Sequence, residues 1–441
     1  MMKTDTLCHM AWDYLMFFPF DPAVGYCCRS PRIGITPEVR DQYKQEVFAN
    51  LPRFVERRED ILNGVKHKDC DTCWKLEEKG YKSPRHDESM IHYMQKNTGI
   101  KFKSMEDLRK HPGQEKTHYA DCIEVVLNNV CDAKCTYCSE IFSTQWYLEK
   151  KKFGDPVMRV PADNRDPVLE GYFWDWYRDV GSKEMWRFGF IGGEPLIVDA
   201  LYEFLDKLLE IHEKNPLPVK KELCITSNMN TPPAYFKKFI AYIPKLEKHF
   251  KIIMQASGEN VGEELEYVRS GVYFERWKNN IEYFLNQTSV EIHFLPTLNL
   301  LSLPGFFRYL DYWHELCLKH GPISIHDNIV SNPKYQSPMS APSEFAAFLD
   351  EPIKMLESMQ DWEGLTNPMK WSWKTFLTFL INTREAISKN KSMFEMREEA
   401  LYFYRYFNQL DQRRNTSVTN VFPDFKIMYK LGEKLHTMQT K

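Results

Sequence analysis

Three cysteines, Cys131, Cys135 and Cys138, follow an alternating apolar run in the stretch CIEVVLNNVCDAKCTYC. This motif constrains the chain more than any other feature. Thiolates at that spacing can hold three irons of a 4Fe–4S cluster and leave the fourth iron open. Ferredoxin patterns bring four cysteines to each cluster, whereas an incompletely ligated metal marks a catalytic site rather than a closed structural one. With 11 Cys in 441 residues, chance gives roughly 0.007 CxxxCxxC matches. The bland alternative is a zinc knuckle or a set of buried thiols. Zinc knuckles favour paired CxxC units with a fourth local ligand, and no His lies between Tyr119 and Trp146.

Composition narrows the class. The length predicts two or three domains, and 43% hydrophobic with 14% aromatic residues allows a sizeable core. A formal net charge of −3 gives no electrostatic footprint for nucleic acid, so none is expected as a partner. The early apolar stretch AWDYLMFFPF is broken by Asp13 and Pro19 and lacks a small-residue cleavage site, so no signal peptide is expected. No run reaches transmembrane length, and no membrane association is expected. A reducing cytoplasm suits iron–sulfur ligands, which must stay thiolates.

From residue 116 the chain alternates short β-like runs with longer helical ones. The strand candidates are CIEVVLNN, EMWRFGFI, KELCITSN, KIIMQAS, VEIHFLPTLN and ISIHDNIV. Between them, DALYEFLDKLLEIHEK places Leu201, Leu205, Leu208 and Leu209 on one helical face. The segments PAYFKKFIAYIPKLEK and LPGFFRYLDYWHELCLKH behave similarly. Six βα units predict an α/β fold with a parallel sheet and right-handed crossovers. Sites on such sheets sit at the carboxyl ends of strands. The last hundred residues read as helices rich in aromatics, a pattern of core packing. Arg413 and Arg414 read either as an acidic-substrate contact or as a solvated helix end.

The motif CDAKCTYC resembles the CxxxCxΦC signature of radical S-adenosylmethionine (SAM) enzymes, with Tyr137 in the aromatic position. FIGGEPL, with Gly192, Gly193 and Glu194, resembles the family's GGE motif. The resemblance covers most of residues 116–335 and implies a partial (β/α)₆ TIM-like barrel there. It implies that Cys131, Cys135 and Cys138 hold a 4Fe–4S cluster whose fourth iron is chelated by SAM. Reductive cleavage of SAM would then give methionine and a 5′-deoxyadenosyl radical, which abstracts a substrate hydrogen. Tyr137 would pack near the adenine, and Glu194 would accept from the SAM ammonium. Ser227, Asn228 and Ser257 resemble the polar positions that meet ribose and carboxylate, although helix caps explain them almost as well. Arg269, in EYVRSG, resembles the arginine after strand four, whose fork matches a carboxylate. Asn299 and Ser302 are weaker candidates for SAM contacts. Cys122, Cys224 and Cys317 fall outside both cysteine sets, and Cys224 and Cys317 read as small buried hydrophobes.

Residues 1–115 carry Cys8, the pair Cys27 and Cys28, and Cys70 with Cys73 in KDCDTCWKLEEKG. On ligand type alone this could be a structural zinc site. The pattern also resembles the twitch half-domain, a shortened SPASM domain, which implies a second, auxiliary 4Fe–4S cluster on Cys8, Cys27, Cys70 and Cys73. The adjacent pair leaves either Cys27 or Cys28 as ligand, and Cys27 is taken. The expected layout is thus a Cys-rich twitch-like domain (1–115), a radical SAM partial barrel (116–335) and a helical cap (336–441). The implied activity is hydrogen abstraction, most simply in the modification of a peptide or protein side chain. The alternative is oxidation or rearrangement of a sugar or other small metabolite. A non-enzyme reading is a zinc- or cluster-binding interaction module. The resemblance also implies a reductase partner such as flavodoxin or ferredoxin.

Overall fold

The computed structural model describes residues 6, 8, 10–78, 83, 85, 122–157, 165–217, 219–360, 362 and 365–439. The expected boundary at 115/116 lies outside the described residues. Three short strands come first: β1 (Tyr14–Phe18), β2 (Ala23–Gly25) and β3 (Ile33–Gly34). They are followed by β4 (Cys122–Val126), β5 (Arg187–Ile191), β6 (Lys221–Ser227), β7 (Phe250–Ser257), β8 (Glu291–Leu295), β9 (Thr297–Leu298), β10 (Ser324–Ile325) and β11 (Asn328–Ile329). The main sheet runs β10-β8-β7-β6-β5-β4-β1-β2-β3. Every pair from β10 to β4 is parallel, and the six runs predicted from sequence each supply one strand of this sheet.

Alternation along these strands separates two faces. Phe188, Phe190, Leu223, Ile225, Ile252, Met254, Ile292 and Phe294 are buried in the core. The residues between them, among them Arg187, Glu222, Thr226, Gln255 and His293, line a central cavity instead. The crossover helices bury one stripe each against the apolar face. In the helix Asp199–Lys214, Leu201, Leu205, Leu208 and Leu209 are all buried, as their spacing predicts.

Two departures from the sequence reading have local causes. The run VEIHFLPTLN divides into β8 and β9, because Pro296 has no N–H to donate to a ladder. β9 then pairs with β11 in a small sheet of its own. The second departure is that β1 adds to the main sheet. It pairs in parallel with β4, Tyr14 opposite Cys122, so the start of the chain shares the sheet of the βα units. The last part of the chain is helical, with long helices at Asn367–Ser388, Arg397–Arg414 and Lys426–Gln439.

One buried histidine makes the fold sensitive to acid. His212 is fully buried in the helix Asp199–Lys214, with its Nε2 2.7 Å from the Tyr177 hydroxyl. Burial pushes its pKa down to about 4, with His249 adding to the effect. The native state therefore refuses a proton that the unfolded chain accepts near pH 6.5. Its contribution to stability is complete above that pH and declines as pH falls towards 4, by up to about 3 kcal/mol. The difference between wild type and His212→Gln in urea unfolding should therefore shrink as pH drops from 7 to 4. Parallel pH profiles for the two proteins would contradict this.

Candidate active site

The cysteine loop leaves the carboxyl end of β4 and adopts no regular secondary structure. Its backbone groups must therefore find partners elsewhere. The Lys134 and Thr136 N–H groups each donate at 2.7 Å, to the carbonyls of Ser270 and Val268. The Thr136 carbonyl accepts from Gln336 Nε2 at 2.7 Å and from the Tyr406 hydroxyl. The Cys135 carbonyl accepts from Trp146 Nε1 at 2.7 Å. These contacts aim Cys131, Cys135 and Cys138 at the wall of one cavity of about 2070 Å³. Burial pushes all three thiols up, Cys138 to about 12, and Cys135 contributes to the rise at the other two. Thiols that resist ionisation yet face one another suit a site where a bound metal supplies the positive charge.

The glycine motif meets this loop backbone to backbone. Gly193 N–H donates to Asn128 O at 3.0 Å, and Glu194 N–H donates to Val130 O at 2.8 Å. A Cβ on Gly193 would lie 2.1 Å from Val130 O, so no other residue fits. Gly192 has φ +130, a conformation that favours glycine. Both glycines line the cavity.

Glu194 faces the protein. Its carboxylate accepts from the Asn228 N–H at 2.6 Å, Ser227 Oγ at 2.9 Å and the Leu196 N–H at 3.2 Å. Burial raises its pKa to about 7 while these donors hold it down. Ser227, Asn228 and Glu194 thus form one knot between the ends of β5 and β6, and any SAM ammonium would have to share it. Asp132 extends the knot, accepting from Asn228 Nδ2 at 2.7 Å and Asn230 Nδ2 at 2.8 Å. No spacing pattern in the sequence marked Asp132 or Asn230.

Arg269 is buried, and its Nε and Nη2 grip Glu259 with a shortest contact of 2.7 Å. Glu259 also accepts from the Tyr137 hydroxyl at 3.0 Å. A carboxylate of SAM would have to share the guanidinium with Glu259, a partner that the sequence reading missed. Ser257 and Tyr137 line the cavity. Asn299 and Ser302 do not; they cap each other reciprocally within a buried turn. Arg413 and Arg414 are held in ion pairs rather than standing as a solvated helix end. Arg413 pairs with Asp155 at 2.6 Å. Arg414 is buried against Glu149 at 3.1 Å and lies 4.8 Å from the Trp146 ring. Glu149 is shared with Lys134 of the cysteine loop. The helix Arg397–Arg414 thereby clamps the loop. Cys122, Cys224 and Cys317 are buried thiols whose pKa values burial raises.

Cys8, Cys27, Cys70 and Cys73 converge from separate segments on a second, smaller cavity. Cys28 faces the large central cavity instead, which favours Cys27 of the adjacent pair as the fourth donor. Arg57 is buried beside this set. Its Nε donates to Cys70 Sγ at 3.3 Å, and its guanidinium lies 3.9 Å from the Tyr26 ring centroid. The Arg29 N–H donates to Cys27 Sγ at 3.3 Å. Four thiolates around a zinc ion or a 4Fe–4S core leave net negative charge, and a buried guanidinium suits either. A further donor group, Glu56, Asp60 and His67, lies close together nearby. His67 Nδ1 accepts from the Asp69 N–H at 3.1 Å, so in the neutral ring Nε2 carries the proton and offers no lone pair to a metal.

No family model matches the chain, and no curated protein matches it in sequence. Among solved structures it is similar to Streptococcus suis SuiB bound to S-adenosylmethionine, at 12% identity and a TM-score of 0.37, over 80% of this chain and 74% of that one. SuiB bound to the precursor peptide SuiA gives 12% and 0.37, over 80% and 70%. The FeFe-hydrogenase maturase HydG from Carboxydothermus hydrogenoformans gives 14% and 0.30, over 88% and 98%.

The buried Arg269–Glu259 pair makes a prediction of its own. Arg269→Ala leaves a fully buried carboxylate unpaired and should cost about 3–5 kcal/mol in denaturant unfolding. Replacing both residues, with Arg269→Met and Glu259→Leu, should recover much of that loss. A single variant as stable as wild type would mean that the pair is not formed.

Proposed function

We propose that this protein is a radical SAM enzyme with a partial (β/α)₆ barrel and an N-terminal twitch-type region. The observation that carries the reading is the meeting of two motifs. Cys131, Cys135 and Cys138 and the Gly192–Gly193 turn stand together at the carboxyl ends of β4 and β5, on the wall of one large cavity. The three cysteines would hold a 4Fe–4S cluster, which when bound supplies the electron that cleaves SAM to methionine and a hydrogen-abstracting 5′-deoxyadenosyl radical. The chain's own part is to hold and enclose. Gly192 and Gly193 let the backbone approach a ligand closely, the Glu194–Ser227–Asn228 knot fixes the strand ends, and Tyr137 offers a ring beside the cysteines. Cys8, Cys27, Cys70 and Cys73 would hold an auxiliary cluster.

The cavity favours a peptide or protein side chain as substrate. At about 2070 Å³ it exceeds the roughly 300–1,000 Å³ of small-molecule pockets. Cys28 and Arg29, beside the four-cysteine set, line the same cavity as the radical SAM motif, so a substrate bound there would lie between the two sets.

Two measurements test these assignments. Replacing Cys131, Cys135 and Cys138 together with Ala should abolish formation of 5′-deoxyadenosine from SAM under reducing, anoxic conditions. Undiminished cleavage would end the radical SAM reading. The same triple variant should retain about four irons per chain, the content of one cubane cluster at the N-terminal cysteines. About one zinc per chain with no residual iron would assign those cysteines to a structural zinc site.

A further inference from the structure

We infer that the end of the central cavity at the amino termini of the barrel strands is an anion subsite, in which Arg187 takes a carboxylate of the substrate. The inference rests on the proposed reading of this cavity as the substrate site. Arg187 opens β5 and lines the cavity, with Cys122 of β4 and Glu222 of β6 as its register neighbours. Among the described residues, none of the carboxylates comes within ion-pair distance of it. Its Nε is buried with no hydrogen-bond partner, and the Nε1 of the adjacent Trp186 is equally unpartnered. Its neighbours are the Cys224 and Cys122 thiols and the Trp186 ring, whose centroid is 5.8 Å away, with Glu222 and Glu124 the acids near enough to act on its charge.

The other buried arginines show how this protein treats a guanidinium it merely stores. Arg57 bonds Cys70 and the Tyr26 carbonyl, and Arg58 bonds the Ala49 carbonyl and Asn50. Arg269 grips Glu259, and Arg414 grips Glu149. Arg187 bonds the Cys224 thiol but leaves its Nε unpartnered and has no carboxylate of the described residues on its fork, and a charge left this way is costly unless something pairs with it. The nearby acids do not fill the role. Glu124 is engaged by the Tyr14 hydroxyl, and burial raises its pKa while Tyr14 and Arg187 act against that rise. Glu222 stays beyond ion-pair reach. His326, 3.1 Å from His293 on the cavity wall, is disfavoured as a competing cation, since burial lowers its pKa.

The fork of a guanidinium matches a carboxylate bidentately. Arg187 stands four residues before Ile191, which is about 13 Å along a strand, from the end where the Gly192–Gly193 turn meets the cysteine loop. The ligand must therefore carry its carboxylate well away from its reacting atom. An acidic residue a few positions along an extended peptide fits that requirement, and a small acid does not.

Thermal unfolding of the full-length protein tests the subsite, with glutarate as the carboxylate probe and inorganic phosphate as the oxyanion control at matched ionic strength. Glutarate should raise the unfolding temperature of wild type. Arg187→Met should abolish that rise and, by removing an unpaired charge, should unfold no lower than wild type without additive. Arg187→Lys keeps the charge but not the fork, so it should show a smaller rise, which preserves the test if the Met variant does not fold. An equal glutarate response in all three proteins, or no response in wild type, would overturn the subsite. An equal response to phosphate would overturn the carboxylate assignment. SAM cleavage by the same wild-type preparation reports separately on the reading of the cavity.

Discussion

The structure depends on satisfying a loop that cannot satisfy itself. Residues 131–138 present three thiols from backbone that forms neither helix nor strand, so its amides and carbonyls need partners from outside. Those partners come from the segment after β7, from the turn at Gln336 and from Tyr406 in a C-terminal helix. The buried Glu149 adds a charged tie, holding Lys134 of the loop and Arg414 of the C-terminal helix at once. The geometry of the thiols is thus a property of most of the chain. Breaking a tie far from the cysteines in sequence disturbs the site as directly as changing a neighbour.

Much of this was legible in the sequence, because the signals were local. The three-cysteine spacing, the double glycine and six alternating runs each depend on neighbouring residues, and each sits where its pattern predicts. What stayed hidden concerns charged residues, whose partners are chosen by the fold. Arg269 was assigned to an external carboxylate, yet Glu259 sits ten residues before it and takes its fork. Arg413 and Arg414 looked like a solvated helix end because Asp155 and Glu149 are more than 250 residues away. The parallel pairing of β1 with β4 was hidden for the same reason, since the residue opposite Tyr14 is Cys122. Asp132 lay inside the most informative motif and still went unread, because its partners Asn228 and Asn230 arrive from the loop after β6.

The two cysteine sets differ in how they treat charge. Cys131, Cys135 and Cys138 line an open cavity, and the nearest guanidinium, that of Arg269, is already neutralised by Glu259. The N-terminal set is enclosed and keeps Arg57, whose contacts are a thiol, a carbonyl and an aromatic face rather than a carboxylate. A site that must admit ligands can leave charge balance to what enters. A closed site has to carry its counter-charge in the fold.

Among the described residues the main sheet has nine strands, and at both margins it ends in a strand of only two residues, β10 on one side and β3 on the other. Long unpaired edges are templates for pairing with another chain, and very short edge strands remove most of that template. The start of the chain contributes here by continuing the sheet past β4 through β1 and β2 to a terminal strand too short to recruit. A second copy therefore finds little backbone to extend. Loss of β1 would instead uncover the five-residue edge of β4, a longer template for pairing than either present margin offers.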